Sequence, residues 1–494
     1  MRLAILGGGG FRVPLVFRAL SGGQYAGLIS DVTLYDTDPV RLRAISKVLD
    51  SMPDGGLSKP SVSATTDLDE ALTGVDIVFA AIRPGSTAGR VADERVALEL
   101  GLIGQETVGA GGISYALRSI PEMIRIAERV KEISPHAWLI NFTNPAGMVT
   151  EALQRVLGKR VIGICDSPIG LVRRAARAVN IPATGSLSGV DYVGLNHLGW
   201  LRGLEHDGVD RLPALLADAS KLSGFEEGRV FGPRLLKLLK AIPNEYLFYY
   251  YFEAEATRAL TGSAQTRGEF IAAQQEELYA RLAGSADTAE APGIGGGVGG
   301  GAGAGDAGAE RGNEASANLG DMMGRGAGTE MTAPTAYELW DSARRSREEG
   351  YLAEARSDEE KRDESDLAGG GYEAVALAVM NAVLTDTRAH LILNVRNGST
   401  IACLPASCVI EVPSIVDGSG AEAMPLRPLT LHQRGLMTAV KAVEESVIEA
   451  VTEGSRDAAL RAFTLHPLIN SANLAGRLLE GYEQAFPGLE QLWR

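Results

Sequence analysis

Two residues that can bind a metal follow apolar stretches that are typical of strands. Cys165 comes directly after the apolar run 161–164, and His197 lies a few residues beyond the run 190–193. In parallel sheets, ligands bind where the strands end at their carboxyl sides. A thiolate and an imidazole there could hold a divalent cation and leave positions open for a substrate. A cysteine and a histidine that only pack in the core would show the same pattern, so residue types alone leave both interpretations open.

A glycine-rich turn near the N-terminus predicts a phosphate-binding site. The apolar run Arg2–Leu6 ends at four consecutive glycines, and a stretch with helical spacing follows. Such a turn aims backbone N–H groups at a pyrophosphate, and Gly8 and Gly10 match the first two glycines of the dinucleotide fingerprint. Val13 stands where the third glycine would be. Asp36 ends the second predicted strand, where a carboxylate can bind the ribose hydroxyls of NAD.

The elements that must position these residues alternate between strands and helices. Helical stretches separate five strand-like runs, at 2–6, 31–35, 76–82, 138–142 and 161–164. This alternation predicts a parallel, doubly wound sheet, so we expect an α/β protein whose residues 1–166 form a Rossmann domain. The pattern becomes mixed afterwards, and we expect an α+β domain over 167–494. A glycine-rich insertion at about 285–330 interrupts this second domain.

Length and composition exclude several classes of protein. The chain has 494 residues, with 47 Lys and Arg against 62 Asp and Glu, which gives a formal net charge of −15. An acidic surface disfavours nucleic acid and anionic membranes as partners. No apolar run reaches the ~18–20 residues of a membrane span, and three cysteines suit a reducing compartment. We therefore expect a cytoplasmic enzyme.

Several short motifs stand in a fixed order along the chain. They include Gln-Glu-Thr within residues 104–112, Asn-Pro within 141–147, Cys-Asp-Ser-Pro at 165–168 and Asn-His at the end of 194–197. Further motifs lie at 246–250, 394–397 and 412–413. Together they resemble glycoside hydrolase family 4, the NAD- and metal-dependent glycosidases. The resemblance extends over nearly the whole chain outside the glycine-rich insertion.

The resemblance implies a fold similar to that of lactate and malate dehydrogenases, with NAD and a divalent metal, usually Mn²⁺, as cofactors. It implies that Cys165 and His197 bind the metal, that Tyr246 is the catalytic base and that Asp166 assists the leaving group. Tyr249 is the alternative base. The residues expected to bind the cofactor are Gly8, Gly10, Asp36, Arg83 and Asn144, and those expected to bind the substrate are Arg90, Asn144, Asn196 and Arg267.

The implied reaction is hydrolysis of a phosphorylated glycoside through oxidation at C3, elimination at C1, addition of water and reduction at C3. The motif at 165–168 favours a 6-phospho-α-glucosidase, whereas the motifs at 101–107 and 196–198 favour a 6-phospho-β-glucosidase. We choose the β-glucosidase and keep the α-glucosidase as the alternative. The resemblance also implies a homodimer or homotetramer.

Two other classes of function remain open. An NAD-dependent dehydrogenase with net hydride transfer would need an Arg/His/Asp substrate site and no cysteine–metal site, the reverse of this pattern. A nucleotide-binding regulatory protein without catalysis would not need Cys165, His197 and Tyr246. Release of nitrophenol without accumulation of NADH would distinguish the glycosidase from both.

Overall fold

The computed structural model describes residues 1–53, 58–182, 187–284, 333–355 and 371–493. The predicted glycine-rich insertion at about 285–330 lies almost entirely outside these residues. The strands are β1 Arg2–Leu6, β2 Asp31–Tyr35, β3 Ser61–Thr65, β4 Ile77–Ala80, β5 Trp138–Asn141, β6 Val161–Gly163, β7 Val190–Leu195, β8 Leu198–His206, β9 Val209–Asp210, β10 Ile242–Pro243, β11 Ala389–Arg396, β12 Val409–Asp417 and β13 Gly420–Ala423. The helices up to residue 262 are α1 Val13–Ser21, α2 Pro39–Asp50, α3 Leu68–Leu72, α4 Ser86–Glu99, α5 Gly109–Ile133, α6 Ala146–Leu157, α7 Ser167–Ala178, α8 Leu212–Ala217, α9 Ala219–Leu222, α10 Glu226–Leu239, α11 Phe248–Tyr251 and α12 Glu253–Gly262. Those that follow are α13 Arg267–Gly284, α14 Ala336–Glu349, α15 Tyr372–Thr385, α16 Leu431–Glu453, α17 Arg456–Leu465 and α18 Ala472–Ala485.

The first six strands form a parallel sheet in the order β3-β2-β1-β4-β5-β6. This is the strand order of doubly wound dinucleotide-binding folds. Side chains of β1 alternate between two cores, because Leu3 and Ile5 pack on one face of the sheet and Ala4 and Leu6 on the other,. Helices therefore cover both faces, and the predicted Rossmann fold is confirmed.

The second part of the chain extends the same sheet with antiparallel strands. Asn394 of β11 pairs with Gly163 of β6, β12 follows β11, and Glu411 of β12 pairs with Gly194 of β7. Strands β8 and β10 complete that side. The predicted α/β part followed by an α+β part is thus confirmed, and the sheet changes from parallel to antiparallel at β6, close to the predicted boundary at residue 166.

The last three helices return to the first part of the chain. Val443, Phe463 and Tyr482 of α16, α17 and α18 pack in the same core as Ala4 of β1. Residues 431–485 therefore cover one face of the dinucleotide-binding half, although they lie at the far end of the sequence. Within the described ranges, no helix is both long and apolar enough to cross a membrane.

Candidate active site

A cavity of about 390 Å³ lies at the carboxyl ends of β1, β4, β5 and β6. This is the edge at which doubly wound sheets bind their ligands. Most of the predicted site residues line it: Gly10, Arg83, Arg90, Asn144, Cys165, Asp166, His197, Tyr246 and Arg267. The structure therefore brings together residues that are separated by up to 257 positions in the sequence. Gly8, Asp36 and Asn196 are not among the residues that line this cavity.

The four glycines after β1 form a tight turn whose N–H groups are already hydrogen-bonded within the protein. The N–H groups of residues 7 and 8 donate to the carbonyl oxygen of Tyr35 at 2.9 and 2.7 Å, and that of residue 10 donates to the carbonyl of residue 7. The N–H of residue 9 donates to Oδ2 of Asp36 at 3.0 Å. A Cβ on Gly8 would lie 2.7 Å from Cβ of Leu34. Gly8 thus packs against β2 and Asp36 braces the turn, so these N–H groups do not point freely at a phosphate as the sequence predicted.

The carbonyl groups of the same turn accept hydrogen bonds from three helices of the second half. The hydroxyl of Tyr279 in α13 donates to the carbonyl oxygen of residue 9 at 2.7 Å. Nε1 of Trp340 in α14 donates to that of residue 11 at 2.8 Å, and the hydroxyl of Tyr372 in α15 to that of residue 12 at 2.9 Å. The conformation of the turn therefore depends on side chains that lie more than 260 residues further along the chain.

Cys165 and His197 both line the cavity. Cys165 follows β6 and is buried, and His197 occupies the turn between β7 and β8. His197 has a left-handed backbone conformation with a φ of 63°, which non-glycine residues adopt mainly at tight turns and functional sites. The buried Nδ1 of His197 has no hydrogen-bond partner in the described part of the chain. An imidazole nitrogen without a hydrogen-bond partner can coordinate a metal through its lone pair.

The electrostatics of this pair suit a divalent cation. Burial lowers the pKa of His197 to about 4, so its imidazole is neutral and has a lone pair to donate,. Burial and the carboxylates of Glu411 and Asp166 raise the pKa of Cys165 well above its ordinary value, and a bound cation would stabilise the thiolate. No group of three or more His, Cys, Asp and Glu side chains among the described residues is arranged as a metal site. A cation here would have two protein ligands, and water or substrate oxygens would complete its coordination.

Tyr246 is held on three sides. Its ring stacks on the imidazole of His197, with centroids 3.9 Å apart and planes at 16°. The side chain of Asn244 accepts a hydrogen bond from the Tyr246 N–H at 2.8 Å, and the hydroxyl of Tyr351 donates to the Tyr246 oxygen at 3.0 Å. Burial, followed by the nearby Glu245, raises the pKa of Tyr246 well above its ordinary value. The phenol is therefore neutral unless positive charge is brought next to it.

Asp166 and Asn144 present polar atoms to the same cavity. Oδ2 of Asp166 lies 3.5 Å from Nη1 of Arg12, and both side chains are partly exposed. The guanidinium of Arg12 lies 5.1 Å from the ring centre of Tyr372. Oδ1 of Asn144 is buried and has no partner within the described ranges. Because buried polar atoms are almost always hydrogen-bonded, this oxygen is suited to a ligand group.

Two of the predicted arginines share one carboxylate. Arg83 and Arg90 both donate to Glu106, Arg90 at 2.6 Å, and Nε of Arg90 also donates to Glu94 at 2.8 Å. Burial alone would raise the pKa of Glu106, but the two guanidinium groups lower it to about 2. Arg90 and Arg83 are therefore fixed in orientation by an ionised Glu106, and both residues line the cavity.

The pKa values of two other arginines that line the cavity, Arg267 and Arg347, are lowered. Nη2 of Arg267 donates to the carbonyl oxygen of Arg347. Burial together with Arg90 lowers the pKa of Arg267 to about 10, although Glu354, Glu348 and Glu106 oppose this shift. Arg347 stacks its guanidinium 3.7 Å from the ring centre of Phe11 and donates from Nε to Gln274 at 3.2 Å. Its buried Nη2 has no partner among the described residues. Burial and the neighbouring Arg12 and Arg267 lower the pKa of Arg347 to about 9.

These shifts leave both side chains positively charged at neutral pH and indicate mutual repulsion that a bound anion would relieve. Arg347 was not predicted from the sequence. The run of arginines at 344, 345 and 347 was the available signal, but such a run is usually a solvated helix face.

Asn196 does not line the main cavity and supports the site through hydrogen bonds. Its Oδ1 accepts a hydrogen bond from the N–H of Ala146 at the start of α6, and its Nδ2 donates to Glu411 at 3.3 Å. It lines a second, much smaller cavity of about 30 Å³ together with His197. The structure thus uses the amide of Asn196 to hold the turn that carries His197, whereas the sequence predicted contact with the substrate.

The fold and this cavity define an α/β enzyme of the dinucleotide-binding class. The chain belongs to glycosyl hydrolase family 4: the model "Family 4 glycosyl hydrolase" matches residues 2–181, and "Family 4 glycosyl hydrolase C-terminal domain" matches residues 192–469. The predicted family and the prediction that the chain is a glycosidase are confirmed.

Relatives of both anomeric specificities are similar to this chain over nearly its full length. The 6-phospho-alpha-glucosidase of Leptotrichia buccalis is 26% identical, over 98% of this chain and 97% of the relative. The 6-phospho-beta-glucosidase of Escherichia coli is also 26% identical, over 99% and 96%. The solved 6-phospho-beta glucosidase of Thermotoga maritima with manganese, NAD+ and glucose-6-phosphate has a TM-score of 0.74 at 23% identity, over 99% and 98%. At that identity, the structural match establishes the fold.

Proposed function

We propose that this protein hydrolyses 6-phosphoglucosides with NAD and a divalent metal, preferably Mn²⁺, as cofactors. The observation that carries the proposal is that one cavity combines Cys165 and His197 with a stacked Tyr246 and with Arg347, whose buried Nη2 has no partner among the described residues. The first three groups suit carbon acid chemistry beside a metal, and the arginines Arg267 and Arg347 suit a dianionic phosphate. The names of the curated relatives support the same substrate class.

The residues present fit both proposed cofactors. Cys165 and the unpaired Nδ1 of His197 would hold the metal, whereas Gly10, Arg83 and Asn144 line the part of the cavity at the strand ends where a dinucleotide would lie. When bound, NAD would accept and later return a hydride at C3 of the sugar, and the metal would polarise the sugar oxygens at C2 and C3. Solved relatives that contain NAD, manganese and glucose-6-phosphate support this choice.

The side chains of this protein would then divide the remaining work. The Tyr246 oxygen would take the proton from C2 of the sugar, and the stacked His197 ring would keep the phenol facing the substrate,. Asp166, which lies 3.5 Å from Arg12, would assist departure of the leaving group at C1. Arg90, Arg267 and Arg347 would bind the 6-phosphate, which fixes C2 in front of Tyr246.

The proposal also specifies the anomer of the substrate. We keep the 6-phospho-β-glucoside as the proposed substrate because the motifs at 101–107 and 196–198 favour it. The Cys-Asp-Ser-Pro motif at 165–168 supports the α-anomer as the second candidate. The two relatives named above, one of each specificity, are equally identical to this chain, at 26%. A cytoplasmic location and a homodimer or homotetramer also stay predictions.

The test is to incubate the protein with p-nitrophenyl 6-phospho-β-glucoside or its α-anomer, NAD⁺, Mn²⁺ and a thiol reductant. We expect nitrophenol release that depends on all three additions, without accumulation of NADH at 340 nm. The unphosphorylated nitrophenyl glucosides are the matched controls and should react far more slowly. NADH formed in proportion to substrate would indicate a dehydrogenase, and NAD⁺ binding without turnover would indicate a regulatory protein.

A further inference from the structure

Tyr351 contacts the proposed base although it lies 105 residues away in the sequence. Its hydroxyl donates to the Tyr246 oxygen at 3.0 Å and lies 3.4 Å from Oε1 of Glu245. Glu245 is itself anchored, because the hydroxyl of Ser167 donates to the same oxygen at 2.6 Å. Tyr351 follows α14, on the far side of the glycine-rich insertion from Tyr246. The Tyr351 hydroxyl carries one proton, so when it donates to Tyr246 its approach to Glu245 is a polar contact rather than a second hydrogen bond.

The Tyr351 hydroxyl fixes the position of the phenol oxygen, which the other contacts of Tyr246 leave open. The stack on His197 sets the plane of the phenol ring, and the cap on Asn244 sets its backbone. Neither contact reaches the phenol oxygen, which is the atom that must approach the substrate. The Tyr351 hydroxyl does reach it. Because an error of 1 Å in the position of a reacting group can lower a rate about 100-fold, a contact at this oxygen matters for catalysis.

We propose that Tyr351 is a positioning residue for the base, which holds the Tyr246 oxygen through its hydroxyl. This inference rests on the proposed function, since it assigns a partner to the group that removes the C2 proton. Tyr351 lines the cavity as well, but the inference needs no contact between Tyr351 and the substrate. A positioning hydroxyl should affect the proton step and leave the binding of substrate and cofactors unchanged.

The experiment compares Tyr351→Phe, Tyr246→Phe and the double variant with the parent protein. Tyr351→Phe removes one hydroxyl and keeps the ring. Tyr337→Phe is the matched control, because Tyr337 lies in α14 and its hydroxyl contacts Arg18 at 3.3 Å, away from the cavity-lining residues. For each variant, nitrophenol release, exchange of the C2 hydrogen with D₂O, reduction of bound NAD⁺ at 340 nm in one turnover, and the Kd of glucose 6-phosphate are measured.

We expect Tyr351→Phe to lower kcat and C2 exchange together by about 10- to 100-fold, with unchanged NAD⁺ reduction and an unchanged Kd. In the Tyr246→Phe background, the second substitution should have no further effect, because Tyr351 acts through Tyr246. Unchanged C2 exchange in Tyr351→Phe, or equal losses in every step, would overturn the inference while the parent protein remains active. A parent protein that is inactive on both anomers would overturn the proposed function and the inference with it.

Discussion

The imidazole of His197 lies face to face with the phenol of Tyr246, with ring centroids 3.9 Å apart and planes at 16°. A proposed metal ligand and a proposed base thus share one contact surface. Because stacked rings restrict each other's rotation, any change that turns the imidazole also turns the phenol. The cation would also lie next to the phenol, where positive charge favours the phenolate form. The metal site and the base therefore form one unit of the cavity.

The first prediction concerns Tyr246. A positioned base contributes about 10²–10⁴-fold, so Tyr246→Phe should lower kcat by that factor and retain metal and cofactor affinity. Oxidation at C3 does not need this base, so the variant should still reduce bound NAD⁺. Exchange of the C2 hydrogen with D₂O during partial turnover is the decisive measurement. Exchange at the parental rate would show that another residue is the base, and Tyr249→Phe would be the next variant.

The second prediction concerns the metal. Cys165→Ser replaces a thiolate by a weaker ligand, so Mn²⁺ binding and Mn²⁺-dependent turnover should be lost while NAD⁺ binding stays nearly unchanged. Electron paramagnetic resonance of free Mn²⁺ measures the binding directly. Cys403→Ser is the matched control, since Cys403 is an exposed cysteine. Parental Mn²⁺ affinity in Cys165→Ser would contradict the assignment.

The third prediction concerns the anion site. Arg347 carries a buried Nη2 without a partner within the described ranges, and a hydrogen bond to a charged group contributes about 1.5–3 kcal/mol. Arg347→Gln should therefore weaken binding of glucose 6-phosphate by about 10- to 100-fold and leave binding of glucose unchanged. Calorimetry with both sugars and with NAD⁺ tests this prediction. Equal losses for glucose and its phosphate would exclude a role for Arg347 in phosphate binding, and a loss confined to NAD⁺ would assign it to the cofactor.

The fourth prediction concerns pH. The pKa of Glu106 is about 2 in the folded protein, below its value of ~4.3 in an unfolded chain. Its ion pairs with Arg83 and Arg90 therefore stabilise the fold above pH ~4.3, and this contribution is lost as the pH falls towards 2. Glu106→Gln should flatten the pH dependence of the free energy of unfolding in that range, as measured by urea titrations. The exposed Glu128, replaced by Gln, is the control and should follow the parental curve.

The fifth prediction concerns the junction between the two halves. Lys441 of α16 is 2% exposed and lies 3.0 Å from Oε2 of Glu151 in α6, and it also pairs with Glu444. Its ammonium group donates to the carbonyl oxygen of Val409 in β12 at 2.8 Å. Lys441→Met would leave two buried carboxylates without their cation, so the free energy of unfolding should fall by about 3–5 kcal/mol. The exposed Lys131, replaced by Met, should change it by less than about 0.5 kcal/mol.

Local sequence patterns were sufficient to predict the strands that consist of buried apolar runs. The runs at 2–6, 31–35 and 161–164 correspond to β1, β2 and β6, and Cys165 lies at a strand end for the reason given by the sequence. Strand β3 was missed, because Ser61–Thr65 is an exposed edge strand of mostly small and polar residues. Strand β3 joins the sheet by backbone pairing with β2, and such pairing leaves no hydrophobic pattern in the sequence.

The missed site residues have a different cause. Arg347 and Tyr351 reach the cavity from beyond the glycine-rich insertion, and no spacing in the sequence specifies how a chain returns across such a segment. The role of Asn196 could not be predicted from neighbouring residues either. Its amide forms hydrogen bonds with Ala146 and Glu411, which lie 50 and 215 residues away in the sequence. Motif resemblance identified the residues, whereas tertiary contacts determined which of them line the cavity.

The hydrogen bonds from Tyr279, Trp340 and Tyr372 to the glycine-rich turn have a thermodynamic consequence. A ligand that shifts α13, α14 or α15 also shifts the turn, so the two ends of the cavity are linked in free energy. Thermodynamic linkage is reciprocal. If a bound sugar phosphate changes the affinity for a dinucleotide by some factor, the bound dinucleotide changes the affinity for the sugar phosphate by the same factor. Trp340→Phe, which removes one of these donors at a residue outside the cavity lining, would reduce that shared factor at both ends. In the proposed reaction, the turn would therefore couple the cofactor to the substrate.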